Sequence, residues 1–101
     1  NINLQLSDNE YIYMSSFNLK TNKGNNFSYE VYEGNLLKEK MTADGITFRP
    51  KDTIFRLRNF YKRKVGVLND EIEYGRRLDT IFNFRPKDLL HIDAFAVEMQ
   101  T

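Results

Sequence analysis

TIFRLRNFYKRKVGV, residues 53–67, is the stretch on which the fold turns. Phe55, Leu57, Asn59, Tyr61 and Arg63 fall on one parity, while Ile54, Arg56, Arg58, Phe60 and Lys62 fall on the other. One side is mostly apolar and the other mostly basic, which is the pattern of a half-buried strand. The pentapeptide Phe-Arg-Pro-Lys-Asp precedes this run at 48–52 and returns at 84–88. Proline cannot donate to a sheet ladder and pushes the residue before it toward an extended conformation, so Pro50 and Pro86 mark turns or strand starts. No longer repeat surrounds the two copies, and they read as similar turn chemistry, not as a duplicated module.

Working outward, Ile2, Leu4 and Leu6 alternate with polar residues and stop at the turn formers Ser7-Asp8-Asn9. Glu10 to Leu19 reads as a second strand, 21–26 as an Asn/Gly turn, and Phe27, Tyr29 and Val31 as a third strand that ends at Glu33-Gly34-Asn35. Leu36 to Ala43 alternates again, and Asp44-Gly45 is the strongest hairpin dipeptide in the chain. Ile46 to Phe48 then forms a short strand. Beyond the central run, residues 68–71 turn the chain into Ile72–Tyr74, Gly75 bends or bulges it, and Leu78, Thr80, Phe82 and Phe84 alternate once more. Residues 88–93 read as a short helical turn capped by Asp88. About eight to ten short strands with Gly/Asn turns predict an all-β sandwich, barrel or jelly roll.

The totals bound the reading. A chain of 101 residues has room for one domain. Six Tyr and eight Phe favour β structure. The net charge of +1, with acids and bases interspersed, gives no bulk attraction to nucleic acid or to an anionic membrane. Without cysteine there is no disulfide framework and no thiolate metal site. No apolar run is long enough to span a bilayer as a helix. The alternation is already under way at Asn1, and 94–101 shows no cap or polar tail, so the stretch reads as a domain cut from a longer polypeptide.

The residues suggest little covalent chemistry. His91 with Asp93 and one of Ser7, Ser15, Ser16 or Ser28 would make a nucleophilic triad, but no GxSxG turn accompanies them. Asp70, Glu71 and Glu73 offer carboxylates with no spacing that selects a pair, and one His with scattered acids makes no metal-ligand cluster. No cofactor and no enzymatic activity are expected. Arg56, Arg58, Lys62, Arg63 and Lys64, interleaved with Phe60 and Tyr61, resemble the surface of an OB-like binder of single strands along 56–64. Their charge is expected to be answered by Asp70, Glu71 and Glu73 on the neighbouring strand, which disfavours a nucleic-acid groove. A sandwich used only for protein contacts is the third reading. The apolar rows are by default a core, or, if the sheet is not closed, the lining of a groove for an apolar ligand.

Taken as an ordered series, YIYMSSFN (11–18), FSYEVYEGNLLKEKMTAD (27–44), IFRLRNFYKRKV (54–65), LDTIFNFRPKDL (78–89) and IDAFAVEMQT (92–101) resemble the periplasmic domain of the LptF/LptG (YjgP/YjgQ) family of lipopolysaccharide-export permeases, in wording closest to its Bacteroidetes members. The position of Phe55 is often tryptophan in that family, and this chain keeps an aromatic there. The resemblance implies an OstA-like, LptA-like β-jellyroll, an open V-shaped antiparallel sheet sandwich on the periplasmic face of the inner membrane, between two groups of transmembrane helices. It implies no covalent chemistry, a greasy lumen for the acyl chains of lipopolysaccharide, and edge-strand pairing with LptC/LptA-like jellyrolls of the export bridge. The partner permease and a cytoplasmic ATPase would act through the membrane part, and nucleic acid is not an expected partner. On strand parity the expected groove residues are Phe27, Tyr29, Val31, Leu37, Met41, Phe55, Leu57, Tyr61, Leu78, Phe82 and Phe84, and the expected headgroup contacts are Arg56, Arg58, Lys62 and Arg63.

Overall fold

Alternating apolar and polar side chains carry most of this chain into ladders. The structure, a computed structural model, describes residues 1–90 and 97–98. The strands are β1 (Ile2–Ser7), β2 (Glu10–Met14), β3 (Ser16–Asn18), β4 (Lys23–Glu33), β5 (Leu36–Arg49), β6 (Ile54–Lys64), β7 (Glu71–Thr80) and β8 (Val97–Glu98), with a 3-10 helix, η1, at Pro86–Leu89. The order across the sheet is β1-β2-β4-β5-β6-β7, while β3 continues along the edge of β4 and carries β8. The first seven strands pair antiparallel, and β8 runs parallel to β3. Among the described residues no ladder joins β1 to β7, so the sheet is open.

The strands are fewer and longer than the turn signals suggest. β5 alone has 14 residues, and Asp44-Gly45 lies inside it, not at a hairpin. At about 3.4 Å per residue such a strand spans roughly 48 Å, which matches the longest dimension of the molecule, 48 Å. β5 therefore runs the full length, and Ile46–Phe48 is its second half.

What Asp44-Gly45 marks is a line across the sheet. Between β4 and β5 the ladder passes from Asn25↔Gly45 to Phe27↔Ala43, leaving out Asn26 and Asp44. The β5–β6 ladder leaves out Asp44 and Asn59, and the β6–β7 ladder leaves out Asn59 and Arg76. Asn26, Asp44, Asn59 and Arg76, one on each of four successive strands, thus form a transverse line of unpaired positions, all exposed. Asn26 and Asn59 have φ of 54° and 51°, the left-handed conformation that asparagine tolerates better than most residues. Asn59 Nδ2 donates to Asp44 Oδ2 at 3.0 Å, and Asn26 Nδ2 donates to Ser15 Oγ at 3.0 Å. Ser15, which separates β2 from β3, in turn donates from N–H and Oγ to the carbonyl of Asn25. The expected single strand over 10–19 is broken there.

The line has a packing consequence. On either side of it Ala43 and Ile46, and likewise Leu57 and Phe60, are all buried although three residues apart. The strands change parity together, so the same face of the sheet stays apolar on both sides of the line. That inner face forms one core with Ile2, Ile12, Met14, Phe17, Phe27, Met41, Phe48 and Phe55.

A non-strand segment covers it. β7 ends at Thr80, and Phe82 and Phe84 keep the expected alternation without joining a ladder. Phe82 lies 5.1 Å from the ring centroids of both Phe27 and Tyr29 and 5.7 Å from Phe55, so this strap crosses from the β7 edge over β6 to β4. The two pentapeptides meet here: Phe48 and Phe84 lie 5.0 and 4.6 Å from Phe55, and the Arg85 guanidinium sits 5.6 Å over the Phe48 ring. Both copies do turn the chain, the first between β5 and β6, the second into η1. Asp88 is not the cap residue of η1; from its first turn its Oδ2 accepts the Arg85 N–H at 2.7 Å. The remainder of the expected helical turn, 91–93, lies outside the described residues.

Candidate functional site

Two surfaces stand out, one on each face. On the inner face Phe27, Met41, Phe55, Leu57, Phe82 and Phe84 are buried, and Tyr29 and Leu78 pack partly buried against them. Val31 and Leu37 are half-buried toward the far end of β4 and β5. Tyr61 is 44% exposed on the outer face, and Phe60 takes the interior position, because the parity change at Asn59 reverses every assignment beyond it. Phe82 and Phe84 are part of the covering strap and not of the sheet wall. Ile2, Ile12, Met14, Phe17, Ile46, Phe48 and Leu89 complete the apolar surface. At its rim the Tyr29 hydroxyl donates to the Glu10 carboxylate, which also accepts from Ser7 Oγ at 2.8 Å. These hydrogen bonds hold the Glu10 carboxyl below its ordinary range, while burial, followed by the bond to Glu10, pushes the Tyr29 hydroxyl up.

The outer face carries a basic hollow. Register places Arg56 between Thr47 and Asp79, and Arg58 between Gly45 and Arg77. Lys23, paired with Thr47, lies in the same row as Arg56. Lys23, Arg56, Arg58, Arg76 and Arg77 line a depression of about 340 Å³ whose floor includes Gly45. A methyl at Gly45 would come within 3.0 Å of Arg58 Nη2, so the missing side chain is what lets the guanidinium lie across the floor. Asp79 accepts from Arg56 Nε and Nη2 at 2.8 and 3.1 Å and from Arg77 Nη2 at 2.9 Å. Both guanidiniums hold its carboxyl well below the usual range, the bond to Arg56 being the larger cause.

The expected headgroup residues are therefore divided. Arg56 and Arg58 lie in the hollow, but Lys62 and Lys64, in register with Met41 and Glu39, fall on the inner-face side opposite Glu73 and Glu71. Arg63 Nε is 3.8 Å from Asp70 Oδ2. Of the acids at 70–73, Asp70 alone comes within ion-pair distance of a described cation, Arg63, while Glu71 and Glu73 are register neighbours of Lys64 and Lys62. Lys23, Arg76 and Arg77 escaped sequence reasoning because their placement needs the register across β4–β7. Among the serines weighed for a triad, Ser15 is engaged in the transverse line and Ser7 with Glu10, while His91 and Asp93 lie outside the described residues.

Asp79 gives a testable pH dependence. Its folded pKa is lowered, so the stabilisation is present above the ordinary aspartate value of 3.8 and is lost as pH falls below it. The pair is solvated and its contribution screened. In urea unfolding at low salt, wild type is expected to be more stable than Asp79→Asn near about pH 6, with the gap closing on acidification through the carboxylate range. A gap independent of pH would assign the difference to something other than the carboxylate charge.

No protein-family model matches the chain, and no curated protein matches it. Among the described residues, no helix is long and apolar enough to cross a membrane. Fold and surfaces together define an open antiparallel β domain with an apolar face under one covering strap and a basic hollow behind it.

Proposed function

We propose that this chain is the periplasmic domain of an inner-membrane permease of the LptF/LptG kind, a non-enzymatic module that passes the acyl chains of lipopolysaccharide toward a periplasmic bridge. The observation that carries the reading is the inner face of the open sheet, apolar from β1 to β7 and covered over β4–β6 by a strap outside the ladder. In this reading the domain is an OstA-like jellyroll, and the strap side chains Phe82, Phe84 and Leu89 hold the space that acyl chains take. The energetics allow the exchange. An acyl chain drawn into water costs about 0.8 kcal/mol per methylene, so about ten methylenes match the uncovering of three large apolar side chains at about 1.5–3 kcal/mol each. The free edges of β1 and β7 would accept LptC/LptA-like jellyrolls by strand addition, and the partner permease and cytoplasmic ATPase would act through the membrane part.

The lining is then Phe27, Tyr29, Met41, Phe55, Leu57, Phe60 and Leu78, with Val31 and Leu37 at one end and Tyr61 outside. Photocrosslinking residues placed at 55, 60 and 82 of the full-length permease in its assembled complex are expected to form adducts with lipopolysaccharide. Positions 61 and 74, on the opposite face, are expected to form none. Equal labelling of both faces, or none at 55, 60 and 82, would remove the trough.

A further inference from the structure

The geometry points to the outer hollow as a binding site for a compact phosphate-bearing anion, held by Lys23, Arg58, Arg76 and Arg77 over the floor of Gly45. It lies on the face opposite the apolar trough and stands or falls independently of the lipid-transport reading.

Three observations converge. First, Arg58 and Arg77 are direct cross-strand neighbours, a like-charge pair that Asp79 answers only on the Arg77 side. Second, the acid bonded within the cluster is Asp79, and its oxygens are taken up by Arg56 and Arg77. Among the described residues no carboxylate lies within ion-pair distance of Lys23, Arg58 or Arg76. Elsewhere on the outer face Lys40 lies 3.4 Å from Glu30 and Arg63 3.8 Å from Asp70. Three cations without such an acid are therefore gathered at one place. Third, that place is concave: Gly45 leaves the floor without a side chain, and the depression of about 340 Å³ falls within the size range of small-ligand sites.

Guanidinium groups converging on a small hollow suit phosphate oxygens, to which they donate two bonds at a time. A nucleic-acid track fits less well. It needs cations spread over several nucleotides with aromatic platforms between them, whereas here the charge is confined to two neighbouring rows of the sheet and the transverse line. The shared chemistry, a phosphate monoester or diphosphate, is found both in soluble anions and in phosphorylated lipid headgroups.

Calorimetric titration of the full-length protein with inorganic pyrophosphate tests the soluble source. Flotation with phosphatidylcholine vesicles containing phosphatidic acid, against phosphatidylcholine alone, tests the domain at a membrane surface once folding of the isolated domain has been verified by circular dichroism. Binding in either arm that falls about tenfold or more in Arg58→Ala and Arg77→Ala, the loss expected for one charge-assisted contact, supports the site. Gly45→Ala keeps every charge and is expected to weaken binding by moving the Arg58 guanidinium. The control Lys62→Ala is expected to leave affinity within about twofold, since its register with buried Met41 places Lys62 on the opposite face. The proposal is overturned by absence of binding in both arms, by equal losses in Lys62→Ala and Arg58→Ala, or by preferential binding of oligothymidylate that strengthens with its length.

Discussion

Replacing Phe55 by alanine is expected to cost about 3–5 kcal/mol of stability, the range for deleting a fully buried aromatic ring. The ring has no exposed surface. It is stacked on Phe84 at 4.6 Å, with Phe48 at 5.0 Å and Phe82 at 5.7 Å. One side chain thus joins the end of β5, the start of β6 and the strap. Partial collapse cannot fill the cavity, because the neighbours approach from separate segments that are each anchored elsewhere. A domain of this size has about 5–15 kcal/mol in total, so the variant should sit near the edge of folding. Urea unfolding followed by circular dichroism would show a lower midpoint, and the melting temperature should fall by more than about 12 °C. Tyr61→Ala, two residues beyond the parity change, is expected to stay within about 0.5 kcal/mol of wild type, as exposed positions do. If the two variants lose comparable stability, β6 has not changed parity between them.

That contrast shows how far the sequence could be read. The alternation in 53–67 was enough to place a strand and to find Phe55 and Leu57 inside, because burial follows local period wherever the backbone is regular. It failed at Tyr61, since the parity change comes from one residue, Asn59, whose left-handed φ leaves no mark in a hydrophobicity pattern. The turn signals at 25–26 and 44–45 were real but misread, while Gly75, read as a bend or bulge, does stand beside one. Asn25-Asn26, Asp44-Gly45 and Gly75 all lie on or beside the transverse line, where the sheet needs special backbone or missing side chains without reversing direction. Asp44-Gly45 has strand on both sides and hydrogen-bonds its neighbours across the line, and nothing local distinguishes that from a hairpin. Phe82 and Phe84 illustrate the converse: an extended strap lying over a sheet buries alternate residues as a strand does, so the period was right and the ladder absent. The open antiparallel sheet itself was legible. The basic hollow was half legible, since Arg56 and Arg58 alternate visibly, whereas Arg77 and Lys23 join them only through register set by loops some distance away.

The transverse line also yields a prediction whose sign separates two physical accounts of β6. Strand propensity alone favours valine over asparagine, so Asn59→Val should stabilise if position 59 is ordinary strand. With φ at 51°, a β-branched side chain instead meets the steric penalty of the left-handed region, about 1–2 kcal/mol. Loss of the bond from Asn59 Nδ2 to Asp44 adds about 0.5–1.5 kcal/mol. Asn59→Val is therefore expected to destabilise by about 1.5–3.5 kcal/mol, the sum of those terms. Asn59→Gly loses the same hydrogen bond but fits the backbone, so it should cost less than valine by about 1–2 kcal/mol despite being the poorer strand former. Asn26, at 54° on β4 with its own bond to Ser15, should repeat the order. Chemical denaturation of the three proteins at each position gives the ranking directly. A valine variant as stable as wild type would mean that the backbone at 59 relaxes to ordinary strand, and with it would go the reason that Phe60, and not Tyr61, points into the apolar face.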